Sequence, residues 1–144
     1  MARTSRAFAL LFVLPLAGCA VPAAWGVTAD DARTHLVRAV DQTQELAGGS
    51  WTQSDDAVPR GCVIPPWTAG SRASVLRIGT PPIDPQHAAD LVDAAWVSWG
   101  YEVTRATIDP VIEVQGSFGG ELIVFRVSEH AMSLQGEGEC SPAR

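Results

Sequence analysis

From Tyr101 to Gln135 the chain runs through four apolar, β-branched segments with no helical pattern between them, and no other stretch constrains the fold as strongly. The segments cover 101–108, 111–115, 122–127 and 132–135. Between them lie Asp109-Pro110, Gly116 to Gly120 and Ser128-Glu129-His130, all short and rich in turn-forming residues. Parallel strands need crossovers of roughly a dozen residues, so connections this short specify an antiparallel meander. In Glu121-Leu-Ile-Val-Phe-Arg-Val127 apolar side chains fall on both faces, the pattern of a strand in the middle of a sheet. The segment from Tyr101 is more mixed, with Glu102, Thr104 and Arg105 giving it a wetter face. Gly136 begins a tail that reaches Cys140.

A sheet with an apolar face must be covered, and two helical patterns upstream supply the cover. Thr28 offers an N-cap with Asp31 at capping-box spacing, and Ala32, Leu36, Ala39, Val40, Thr43 and Ala47 form one stripe. Gly48-Gly49 ends this helix. The stripe is built from small residues, which lets a helix approach a sheet closely. Asp84-Pro85 starts a second helix with an N-cap and a proline at the first helical position, and Gly100 stops it. Its expected buried stripe is Ala88, Leu91, Val92, Ala95 and Trp99, which leaves Trp96 on the flank, half exposed. Between the helices, Ser74 to Gly79 reads as a strand and Trp51 to Gln53 as a short one. The rest of 50–71 reads as a long loop, because Asp55-Asp56, Pro59, Gly61, Pro65-Pro66 and Gly70 are turn formers. Trp67, after the double proline, is either an exposed platform for a ligand or a cap on the core edge. The expected architecture is α+β: a two-layer sandwich with two helices packed on one face of a mostly antiparallel sheet.

The first nineteen residues are of a different kind. Arg3 and Arg6 precede an apolar run from Ala7 to Leu16, which is too short for the roughly 20 residues a permanent membrane helix needs. Leu16-Ala17-Gly18-Cys19 closes the run. These four residues resemble a bacterial lipobox, and that resemblance implies cleavage before Cys19 and acylation of its sulfur. The chain then divides into a removed signal peptide (1–18), a lipidated tether (19–27) and a single extracytoplasmic domain (28–144). In leader, cysteine pattern and composition it resembles the small lipoproteins of unassigned function found in actinobacteria. The resemblance implies localisation at the cell membrane, lipid-anchored on its extracytoplasmic face. The eight residues from Ala20 to Val27 span at most ~28 Å. Trp25 within them suits either a membrane interface or the edge of the core.

Loss of the leader removes Arg3 and Arg6 and no acid, moving the formal charge from −6 to −8. A domain this acidic is repelled by nucleic acid and by anionic lipid headgroups alike. With Cys19 assigned to lipid, Cys62 and Cys140 remain, an even number in an oxidising compartment. They are expected to form a disulfide closing a loop of 78 residues, worth on the order of 4 kcal/mol in the chain-entropy picture. Free thiols or metal ligands are the rival reading, but no Cys-x-x-Cys or paired His accompanies them.

The chemistry-bearing motifs are few. The chain contains no lysine, which removes Ser-x-x-Lys acylation, Schiff bases and a phosphate-loop lysine. Neither Gly-x-Ser-x-Gly nor His-Glu-x-x-His occurs, and the histidines, His35, His87 and His130, are far apart. An ordinary i, i+4 pair with Asp31 accounts for His35. Glu102, Glu113 and Glu121 sit on neighbouring strand segments, either as a carboxylate pair for glycoside hydrolysis or as solvated acids on an outer face. No metal site, cofactor or catalytic residue is expected. The first functional reading is a non-enzymatic binding module of the cell envelope, contacting an envelope protein or glycan, with Trp67 and Trp96 as candidate ligand-contacting aromatics. The alternatives are a cell-wall glycan hydrolase drawing on the strand carboxylates, and an immunity or inhibitor lipoprotein with an enzyme as its partner. Intact-mass measurement of the exported protein should gain two hydrogens on reduction as Cys62 and Cys140 separate; an unchanged mass would mean free thiols.

Overall fold

The computed structural model describes residues 28–55 and 57–142, with the backbone alone at Gln53. The leader, Cys19 and the tether with Trp25 lie outside the described residues. In chain order the elements are α1 (Ala29–Ala47), β1 (Ser50–Ser54), β2 (Val58–Ile64), β3 (Thr68–Thr80), α2 (Pro85–Ser98), β4 (Glu102–Ile108), β5 (Val111–Phe118), β6 (Glu121–Val127), β7 (Met132–Glu137) and β8 (Ser141–Pro142). The strands form one antiparallel sheet in the order β1-β3-β7-β6-β5-β4, with β2 and β8 also paired to β3. Both helices cover the same face. The fold is the expected α+β arrangement, and among the described residues no helix covers the other face of the sheet.

Local chemistry explains the helix ends. Thr28 is extended (φ −72°, ψ 156°), and its hydroxyl accepts from the Asp31 amide at 3.1 Å, a cap worth about 1 kcal/mol. Asp84 does the same for His87 at 2.9 Å, with Pro85 following where no N–H is needed. The buried residues of α1 are the six the periodicity marks, Ala32, Leu36, Ala39, Val40, Thr43 and Ala47. Leu36, Ala39, Val40 and Ala47 share one buried cluster with Val75 of β3, Ile123, Phe125 and Val127 of β6 and Leu134 of β7, and α1 packs chiefly on β3, α2 and β7.

The stripe of α2 is turned from its expected position. Trp96 is 0% exposed and Trp99 only partly buried, while Leu91 is on the surface. Trp96 is therefore not a ligand-contacting aromatic. Two tertiary features decide this. Gly116 on β5 leaves a slot for the Trp96 ring, since a Cβ there would lie 2.8 Å from it. The Trp96 indole N–H also donates to the Thr43 hydroxyl at 2.9 Å, satisfying the one polar atom that burial would strand. Neither neighbour is visible to a helical wheel.

The expected long loop is also corrected. Residues 58–64 form β2, residues 68–80 form one continuous strand, and the turn is confined to Pro65-Pro66-Trp67. Pro59 read as a turn former, but β2 pairs only with β3, so a residue lacking N–H is tolerated there. The tail likewise adds β8, which pairs Gly70 with Pro142 and Ser71 with Ser141. Cys62 and Cys140 form the expected disulfide, with a Cα–Cα distance of 6.1 Å and 78 residues of separation.

Replacing Gly116 by Ala should cost about 1–3 kcal/mol through crowding of Trp96, and Thr43→Val a similar ~1–3 kcal/mol by leaving the indole N–H unpaired. Denaturant midpoints measure both. Two variants as stable as the parent would show that Trp96 is seated elsewhere.

Candidate functional site

Antiparallel connectivity gathers several features at one end of the sheet. There β3 begins, β7 finishes and β5 turns into β6. Helix α1 starts at the same end. Its Leu36 lies against Gly136 and Gly138, and the Gly138 amide bonds the Ala73 carbonyl. Farther along α1, Gln44 meets Arg77 and Trp51, so α1 and β3 run in the same direction.

The first feature is a buried acid. Glu121 opens β6 on the helix-facing side, in phase with Ile123, Phe125 and Val127. It is 5% exposed. One oxygen accepts from the Tyr101 hydroxyl, and the other accepts from His35 Nδ1 at 3.0 Å. His35 thus bridges α1 to the sheet, while the expected partner Asp31 caps its own helix with Thr28. The rings stack around this polar centre: His35 on Phe118 at 5.4 Å between centroids, and Phe118 against Tyr101 at 5.6 Å. Burial, and then the hydrogen bond to Glu121, push the Tyr101 hydroxyl well above the usual tyrosine range. A cavity of about 240 Å³ opens beside the cluster, lined by Asp31, Ala32, His35, Phe118, Glu121 and Glu139. Its body is Ala32 and Phe118, its rim is acidic, and no serine, threonine or cysteine is among the described residues that line it. Sequence periodicity alone carried a signal for Glu121: an acid at the inward position of an apolar strand.

The second feature is the β2–β3 hairpin. Trp67 at its tip is 91% exposed, so it is not a cap on the core edge. Val63 is exposed as well. The disulfide ties Cys62, two residue pairs below the hairpin's turn, to the segment before β8. Gly70 is required at that crossing, because a Cβ there would lie 2.7 Å from the Cys140 sulfur.

The strand carboxylates do not converge. Glu121 lies beneath the helices, whereas Glu102 and Glu113 fall on the opposite face, as the register shows. Glu102 pairs with Ser117, four residues from Glu113, which puts about 13 Å between them along the strand. Glu113 is held by Arg126 at 2.6 Å. A shallow groove of about 290 Å³ on this face contains one carboxylate, Glu137, in an ion pair with Arg72 at 2.9 Å. Retaining and inverting glycosidases hold their two carboxyl groups roughly 5–9.5 Å apart across one bond, and no pair among these acids is placed that way. Among the described residues no cluster of three His, Cys, Asp or Glu side chains could hold a metal ion.

The raised Tyr101 has a consequence for stability. The folded state keeps the phenol neutral, so its contribution is fully present below the ordinary tyrosine value of about 10 and is lost as pH climbs above it. Tyr101 is the one tyrosine in the chain, so tyrosinate absorbance reports it alone. That absorbance should rise together with loss of circular dichroism in an alkaline titration; a rise while the protein is still folded would show that Glu121 does not hold the proton. Tyr101→Phe should remove the alkaline slope while costing about 1–3 kcal/mol at neutral pH.

No protein-family model matches the chain, and no curated protein matches it. Among solved structures it is similar in fold to a DUF4853 family protein from Actinomyces odontolyticus ATCC 17982, with a TM-score of 0.58 and 19% identity over 81% of this chain and 67% of that one.

Proposed function

We propose that this chain is a lipid-anchored extracytoplasmic binding module of the cell envelope, not an enzyme. Its place rests on the sequence of Arg3, Arg6, the apolar run and Leu16-Ala17-Gly18-Cys19. The observation that supports binding over catalysis is the cavity at the start of α1, with its apolar body, acidic rim and no serine, threonine or cysteine in its described lining. Its one acid–histidine pair has both carboxylate oxygens engaged by the protein itself. Such a cavity suits a single cationic side chain of an envelope protein, held by Asp31 and Glu139 over the Phe118 ring. A neutral glycan would leave those acids without a counter-charge.

Two measurements test this. Cys19→Ser should move the protein from the membrane fraction to unprocessed precursor or medium, and unchanged membrane attachment without lipid mass would defeat the anchor. A photo-crosslinking residue at Ala32 should capture an envelope protein in living cells, and Glu139→Gln should weaken that capture about three- to tenfold, as expected for one partly exposed charge pair. Recovery of cleaved wall glycan with no captured protein would favour the hydrolase instead.

A further inference from the structure

We infer that the β2–β3 hairpin tip is a second, non-covalent membrane contact, seated in the phospholipid interface beside the lipid on Cys19. The inference rests on the anchor reading for the nearness of a bilayer, and on the geometry and chemistry of the tip for the contact itself.

Direction comes first. Leu36 of α1 is level with Ala73 of β3, and the two elements run the same way. From Leu36 back to Thr28 is eight helical residues, about 12 Å. From Ala73 back to Trp67 is six strand residues, about 20 Å. The tip therefore stands farther out than the start of α1, at the end of the domain from which the chain leads back to Cys19. Eight residues separate Cys19 from Thr28 and span at most ~28 Å. A domain held so closely by that end brings its most protruding element to the bilayer first.

The chemistry fits an interface. Val63, Ile64, Pro65, Pro66 and Trp67 are five consecutive apolar residues, and Trp67 and Val63 are among the most exposed large hydrophobics in the domain. Tryptophan prefers the headgroup level, where its ring is apolar and its N–H wet. Two consecutive prolines remove two backbone N–H donors from the turn, and these are the groups most costly to carry into lipid. Charge separates the same way. Residues 57–83 contain Arg60, Arg72 and Arg77 and no acid, in a chain whose formal charge is −6. Arg77 is buried, and Arg72 shares its charge with Glu137. Arg60 is exposed on β2, three residues before the apolar run and about 17 Å back from Trp67, so its charge stands above the headgroups on the side of the domain that faces them. The acidic body would be repelled by an anionic membrane, whereas this prong is not. The disulfide, two residue pairs below the turn, ties the prong to the segment before β8 and lets it transmit orientation to the domain instead of bending away.

The test uses the lipidated protein reconstituted into phosphatidylglycerol–phosphatidylcholine vesicles, with brominated acyl chains as quenchers. A Trp25→Phe background removes the tether's tryptophan. In that background brominated lipid should quench tryptophan emission, and Trp67→Ser should abolish most of the quenching; because Trp67 is exposed, the change leaves the fold intact. Unlipidated protein should partition weakly into the same vesicles, about tenfold less after Trp67→Ser, and less again in high salt. Quenching unaffected by Trp67→Ser would overturn the inference, as would a photo-crosslinker at Trp67 that captures protein and no lipid. If intact mass shows no lipid on Cys19, the anchor reading fails separately, and the partitioning of unlipidated protein then decides the tip.

Discussion

The whole sheet depends on β3 being long enough to serve four partners. Its first half carries β2 on one edge and β8 on the other, and its second half carries β1 and β7. The two sets meet at Ser74, which faces Val58 across one edge and Glu137 across the other. A strand used this way cannot slip, because a shift of one residue would unseat every partner and turn Ala73, Val75 and Arg77 out of the core. The N-terminal third of the domain and the C-terminal meander, which share few neighbours in sequence, are one sheet only through it. The same strand places the hairpin tip, since that tip is the portion of the β2–β3 pair that outruns β8.

A second constraint operates at right angles to the sheet. Helix α1 is held by its apolar stripe along most of its length, but at its first turns it meets Glu121, a charge in a face otherwise made of Ile, Phe and Val. The acid is tolerated because Tyr101 and His35 occupy both of its oxygens and aromatic rings close around them. A buried carboxylate with only one of those partners would cost several kcal/mol. The arrangement ties the second turn of α1 to the start of β6, and the cavity opens beside that tie.

Much of this was legible in the sequence, and the remainder has physical reasons. The meander, the helix limits, the six buried residues of α1 and the Cys62–Cys140 pairing follow from local pattern, since each rests on residues close in sequence or on simple counting. Trp96 was misplaced because its burial depends on Gly116, twenty residues away and across the sheet, and on Thr43 in the other helix. Residues 58–71 read as a loop because Pro59 and Gly61 have turn chemistry, and only the edge position of β2 makes that chemistry harmless. His35 had an adequate local partner in Asp31, and the structure gives Asp31 to the helix cap instead. At the site, the exposure of Trp67 was one of two open readings, whereas the acid–histidine–tyrosine cluster joins three segments whose meeting no local pattern announces.

The disulfide has a mechanical meaning as well. A pull applied between Thr28 and Pro142 cannot lengthen anything between Cys62 and Cys140 while the sulfur–sulfur bond holds. Only α1, β1 and the first half of β2 lie on the load-bearing path, with the few residues after Cys140. The second helix and the whole meander sit inside a covalently closed loop that tension bypasses. Under tension the domain can thus lose its first helix and still keep the greater part of its sheet.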